Sequence, residues 1–279
     1  MSIDSTPAAP REAAIADVAS LVRSEHRAPA LIAMAARPRT RADLRELTGA
    51  SPSTIRRTLR TFEQRSWVRR DGHRYGATAL GAAVASGMET LLALIETERT
   101  LRGVWTELPE AVLELALERP GTTTVTVAEH DTPYRPVNRF RSLLRKTDRF
   151  RFVGFDVGLY DPCTDEFGRR VLEGMEAELI DSPDVAEYML STYPERCDRL
   201  LESGNLTALV HDELPPYGVS RLDDRVAVSG YDPDSGGVTV LVDTDAPEAR
   251  EWADSVYAAY RSEARPLEPE RFEDVEIEA

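Results

Sequence analysis

Residues 39–75 read RTRADLRELTGASPSTIRRTLRTFEQRSWVRRDGHRY, and the fold of the first part of the chain is decided by this stretch. Thr40 with Asp43 three residues on is a variant of the capping box, in which each side chain satisfies a backbone N–H left free by the first helical turn. Leu44 and Leu47 give that helix its apolar face, and Gly49 breaks it. Ser51-Pro52 then opens a second helix: Pro suits the first helical position because its missing N–H would have no partner there, and the Ser51 hydroxyl accepts from a free donor. Ile55, Leu59 and Phe62 stand at i, i+4 and i+7 and form one inward stripe. At about 100° per residue, Ser53, Arg56, Arg57, Arg60 and Gln64 fall on the other side, with Thr54 at its margin. Trp67 to Arg70, an Asp71-Gly72 turn and His73 to Tyr75 read as a two-strand hairpin carrying Arg69, Arg70, His73 and Arg74.

Helix, turn, helix and basic ribbon in this order resemble the winged-helix transcription regulators of archaea and bacteria. The resemblance implies a DNA-binding module over residues 11–77. Its second helix would lie in the major groove of double-stranded DNA, with Ser53, Arg56 and Arg57 at base edges. Arg60, Arg69, Arg70 and Arg74 would meet phosphates, and Thr54, Gln64 and His73 are further candidate DNA contacts. The blander alternative is a helical packing unit whose arginines are only a solvated face.

The charge distribution sets that module apart. The whole chain of 279 residues has 34 basic and 49 acidic side chains, net −15. Residues 27–74 hold 12 arginines against 4 carboxylates, net +8, whereas residues 101–279 carry 19 basic and 38 acidic groups. Only the basic segment suits a polyanion. Lys146 is the single lysine beside 33 arginines. An acidic, lysine-poor composition resembles the proteins of salt-loving archaea, although a GC-rich genome produces the same exchange.

Around this centre, residues 1–10 read as a disordered leader. Residues 13–22 read as an Ala-rich helix with Ile15, Val18, Ala19 and Val22 inward, and 30–36 as another helix. After the ribbon, residues 78–100 form a connecting helix whose Val84, Met88, Leu91 and Ile95 are spaced 4, 3 and 4 apart, a heptad-like seam. It either packs on its own domain or joins two copies into a homodimer, which would set two reading helices ~34 Å apart on DNA. No apolar run is read as reaching the ~20 residues that span a bilayer. The expectation is a cytoplasmic protein with no membrane partner. Cys163 and Cys197 lack zinc-site spacing, four scattered histidines add no ligand pattern, and neither a metal nor a cofactor is expected.

Residues 101–264 read as an α/β layered domain with a mixed sheet, so the fold class is α+β overall: winged helix first, α/β domain second. Strands are expected at 122–129, 149–157, 177–181, 206–212, 218–222, 226–231 and 238–242, and helices at 136–147, 165–174, 185–203 and 247–262. The tail 265–279 is acidic. The run EHDTPYRPVNR at 129–139, LPPYGV at 214–219 and the helix holding Trp252 to Tyr260 resemble the effector-type domain of regulators named for the methanogenesis regulatory protein. That resemblance implies a transcription regulator and assigns no ligand.

No GxSxG, P-loop or GxGxxG in a strand-helix setting occurs, so no catalytic residue is assigned and the chain is read as a non-enzyme. His130, Tyr134, Arg135, Arg139 and Arg141 cluster where a strand's carboxyl end meets a helix, the usual mouth of an α/β ligand site, and arginines there favour an anionic effector. The rival to a DNA-binding regulator is an adaptor that holds a protein partner of the transcription machinery on the helix-turn-helix.

Overall fold

A computed structural model describes residues 8–118, 122–154, 157–232 and 234–268. The chain divides into two compact units, residues 1–93 and 94–279. Of the expected leader, 1–7 lie outside the described residues, and 8–10 already belong to the first helix.

The first unit holds α1 (Ala8–Val22), α2 (Arg27–Ala36), β1 (Arg39–Thr40), α3 (Arg41–Thr48), α4 (Pro52–Gln64), β2 (Val68–Asp71), β3 (Arg74–Ala77) and the start of α5 (Ala79–Leu101). Thr40 and Asp43 close the capping box in both directions, and Gly49 takes a left-handed φ of 67° that a side chain would strain. The Ser51 hydroxyl accepts from the Thr54 N–H at 3.2 Å, with Pro52 at the first position. Ile55, Leu59 and Phe62 are buried, together with Thr58, and join Leu31, Met34, Leu44 and Trp67 in one core. β1 pairs with β3 and β3 with β2, a three-stranded sheet. The hairpin loop is Gly72-His73 rather than Asp71-Gly72, because Asp71 still pairs with Arg74; Gly72, at φ 56°, takes the first loop position.

Four expectations change here. In α1 only Leu21 goes inward, while Ile15 (63 % exposed), Val18 and Val22 face out: the stripe was drawn one residue off the buried line. Leu47 is likewise exposed, and Leu44 alone anchors α3. The α5 seam splits. Met88 is 6 % exposed and belongs, with Val84 packed beside it, to the first unit's core, whereas Leu91 (40 %) and Ile95 (44 %) are exposed. The 23-residue α5 is also long and apolar enough to cross a membrane by length and composition.

The second unit continues with α6 (Glu110–Glu118), β4 (Thr123–Val127), α7 (Arg135–Leu144), β5 (Arg149–Val153), α8 (Val157–Tyr160), α9 (Thr164–Leu172) and β6 (Glu176–Asp181). There follow α10 (Pro183–Thr192), α11 (Pro194–Glu202), β7 (Leu206–Val210), β8 (Gly218–Leu222), β9 (Arg225–Tyr231), β10 (Val238–Thr244), α12 (Pro247–Glu263) and β11 (Arg265–Pro266). These strands form one mixed sheet ordered β11-β7-β6-β5-β8-β9-β10-β4, with β5, β6 and β7 parallel and the remaining pairings antiparallel. One face is covered through Phe140, Phe167, Val171 and Leu200, the other through Val112, Ala116, Ala249 and Tyr257. The helix expected over 185–203 is two helices, because Pro194 starts a new one after Tyr193 leaves helical geometry. The tail begins as structure: Arg265 and Pro266 pair with Val210 and Leu209. Residues 269–279 lie outside the described residues.

Candidate nucleic-acid interface

α4 is the element that positions the first unit's arginines. Its buried stripe fixes the helix about its own axis, which leaves Arg56, Arg57 and Arg60 outward, with Ser53 and Gln64 exposed beside them and Thr54 half-buried at the helix start. Among the described residues none of these three guanidinium groups makes a hydrogen bond or ion pair. The Ser53 hydroxyl shares a 2.9 Å hydrogen bond with the Ser51 hydroxyl, and the Thr54 hydroxyl one of 3.0 Å. Arg65, one step beyond Gln64, is different: it pairs with Asp17 at 2.7 Å and lies over the Trp67 ring, tying α1 to the end of α4.

The hairpin supplies the second group. Arg69 and His73 are exposed and unpartnered among the described residues, Arg70 donates from Nε to the Gly72 carbonyl at 2.8 Å, and Arg74 reaches the Pro38 carbonyl at 3.3 Å. Arg41 was not in the sequence-derived set. Its Nη2 donates to the Tyr75 hydroxyl at 2.8 Å, and Arg41 and Arg70 both lie over the Tyr75 ring, at 5.6 and 5.9 Å. With His73 and Thr40 they line a notch of about 230 Å³ between the start of α3 and the hairpin. The signal for Arg41 was its place at the first position of a capped helix next to a β pairing of Arg39 with Tyr75, which a two-residue strand does not announce.

The arginines among these groups are cationic donors on one structural module, a chemistry suited to phosphate oxygens and to guanine edges. Nearby, burial first and then the positive neighbours Arg23, Arg57 and Arg65 lower the Arg27 pKa.

The residues expected to hold an effector in the second unit do not form an open anion site. Arg139 makes a two-pronged ion pair with Asp243, both bonds 2.8 Å, and this raises its pKa. Asp243 is 0 % exposed and also takes Arg225 at 2.6 Å, so Arg139 is half of the clamp that allows a carboxylate to be buried there. Arg135 is paired with Glu129, and Arg141 donates to the Pro162 carbonyl at 2.6 Å. His130 and Tyr134 are exposed. Cys163 and Cys197 are not joined in a disulfide, and burial pushes the Cys197 thiol pKa up.

Two family comparisons overlay these units. Residues 133–263 match the family described as the methanogenesis regulatory protein FilR1, middle domain. Residues 15–100 match the HVO_A0261 N-terminal domain family. Among solved structures, TrmBL2, described as an archaeal chromatin protein with a novel mode of DNA binding, is similar at 12 % identity and a TM-score of 0.43, over 87 % of this chain and 94 % of that one. A phosphatidylserine synthase from Haemophilus influenzae Rd KW20 aligns at 11 % identity and a TM-score of 0.39, over 83 % of this chain and 49 % of that one. The methyltransferase RosA from Streptomyces davawensis aligns at 19 % identity and a TM-score of 0.23, over 74 % of this chain and 67 % of that one. No curated protein matches.

Proposed function

We propose that the protein is an archaeal transcription regulator that binds double-stranded DNA through a winged helix in its first unit. α4 enters the major groove with Ser53, Arg56 and Arg57 at base edges, while Arg60, Arg69, Arg70 and Arg74, joined by Arg41, hold phosphates. The observation that carries the reading is the outward row Arg56, Arg57 and Arg60, unpaired and held in place by the buried line Ile55, Leu59 and Phe62. An arginine row kept for solubility alone has no need of so fixed an orientation. The match of 133–263 to the middle domain of a regulatory protein supports the regulator assignment. The protein works as a homodimer through the exposed half of the α5 seam, Leu91 and Ile95, its second unit senses a small ligand, and it performs no catalysis.

A gel-shift titration against the protein's own promoter tests this. Replacing Arg56 and Arg57 together by Ala lowers affinity about tenfold or more and blunts sequence choice. Equal binding by wild type and double variant overturns the reading. Exposed Leu47 on α3 favours the adaptor alternative, in which that surface holds a protein. A DNA-free partner complex that survives the Arg56/Arg57 double substitution and is lost in Leu47→Ser is the result it requires.

A further inference from the structure

On the α12 side of the second unit's sheet the chain sets two arginines against each other. β5 sends Phe150 and Phe152 into one core, so Arg149 and Arg151 emerge on the opposite face. β8 presents Arg221 on that same face, since its neighbour Leu222 joins the core of Phe150 and Phe152 and Val219 joins the other. The register places Arg151 directly across from Arg221. Like charges directly opposed on neighbouring strands weaken a sheet, so this pair acts against the stability of the strands that carry it.

The surroundings neutralise the pair only in part: Arg221 forms an ion pair with Asp254, while Arg151 has none among the described residues. The two arginines line a polar recess of about 570 Å³ with Asp148, Arg149, Asp223 and Asp224. Each of these carboxylates already has a partner. Asp223 accepts from the backbone N–H groups of Asp148 and Arg149 at 3.2 and 2.8 Å, Asp224 pairs with Arg250 at 3.4 Å, and Asp148 pairs with Arg170 at 2.9 Å. Arg149 faces Glu176 at 3.7 Å. On α12, Asp254 accepts from Nε of Arg221 at 3.0 Å, while Glu178 on the neighbouring β6 accepts from Tyr257 and Arg261. Two sets of donors remain. Nη1 of Arg221 is buried with no hydrogen-bond partner among the described residues. The Arg151 guanidinium has a contact 5.6 Å from the Tyr257 ring centre and no hydrogen bond or ion pair among the described residues. A buried N–H without an acceptor is costly, and the pairing costs less when an anion supplies the missing oxygens.

We propose that this recess binds the phosphoryl group of a small phosphate monoester. Two guanidinium groups approaching from adjacent strands offer more donors than the two oxygens of a carboxylate absorb, whereas a phosphate presents three terminal oxygens and up to two negative charges. The recess, at about 570 Å³, has room for the ester's organic part beside the phosphoryl group. The site names a ligand class for the sensing role proposed above, and rests on that reading for its regulatory consequence but not for the binding itself.

Calorimetric titration of the full-length protein, first with inorganic phosphate and then with glycerol phosphate, at ionic strength held constant with chloride, tests the site without DNA. Saturable binding is expected for both, tighter for the ester. R151Q and R221Q each weaken it about tenfold or more, R151K by less because the charge stays, and R196Q, whose arginine pairs with Asp165 elsewhere, leaves it unchanged. No saturable binding up to about 10 mM by folded wild-type protein, or undiminished binding by both glutamine variants, overturns the site. Equal binding of acetate overturns the phosphoryl assignment. Promoter affinity is then measured with and without saturating glycerol phosphate. An unmoved affinity removes the regulatory consequence, while a protein that binds the ester but not DNA removes only the function proposed for the first unit.

Discussion

Arg56, Arg57 and Arg60 stand outward without a partner, whereas Arg139, Arg170 and Arg225 in the second unit are each tied to a carboxylate. The same side chain therefore does two jobs in one molecule. In the first unit, folding leaves the guanidinium charge unspent and available to an external anion. In the second, which is far more acidic, it lets carboxylates such as Asp243 sit inside a sheet. The local balance of acids decides which: residues 27–74 carry only 4 carboxylates, too few to occupy 12 arginines. Arg151, with no ion pair among the described residues, breaks the second unit's pattern, and Arg221 keeps Nη1 without an acceptor beside its bond to Asp254.

The contrast between spent and unspent arginines is sharpest at Arg139, whose loss is the most costly. Arg139→Ala strips the buried Asp243 of its two-pronged partner and is expected to cost about 3 kcal/mol or more in denaturant unfolding, against less than about 0.5 for Arg57→Ala. Equal, small losses for both would return Arg139 to the role of a free ligand-binding group. Next in size is the effect on DNA. Arg57→Ala costs about 1 to 3 kcal/mol of binding and relaxes sequence choice, whereas Arg69→Ala weakens all sequences alike and lowers the slope of log affinity against log salt by about 1. A salt slope unchanged in Arg69→Ala moves the hairpin off the phosphates.

Ser51→Ala removes the cap that starts the reading helix and lowers the first unit's stability by about 1 kcal/mol, seen in thermal unfolding, while leaving the second unit's transition in place. The smallest effect concerns acid. The backbone N–H of Thr40, with its hydroxyl and Arg74 assisting, holds the Asp43 carboxyl below the usual carboxylate range. A depressed folded pKa adds stability above the unfolded value near about 4 and loses it as pH falls through the folded value. Asp43→Asn is thus less stable than wild type at neutral pH and level with it at the lowest pH, and parallel curves would sever the cap from the acid response.

Local rules made α3, α4 and the hairpin legible, because a cap, a stripe of period 3.6 and a turn glycine are written in consecutive residues. α12 was legible for the same reason. What stayed hidden depended on distant partners. Arg139 looked like a ligand group because Asp243, its true partner, lies 104 residues away in the chain. The pairing of Arg39 with Tyr75, and with it the place of Arg41, needed the sheet. The opposition of Arg151 and Arg221 depends on strand register, which alternation alone leaves open. The break at Tyr193-Pro194 is hidden for another reason: apolar spacing carries on across it, and only the proline marks the start of a new helix.

At the root of α5, a Cβ on Gly81 would stand 1.8 Å from the Trp67 carbonyl oxygen, and Thr78 bonds to both Trp67 and Gly81. The helix axis is thereby bolted to the base of the hairpin with no side-chain cushion between them. Even alanine at position 81 would loosen that bolt.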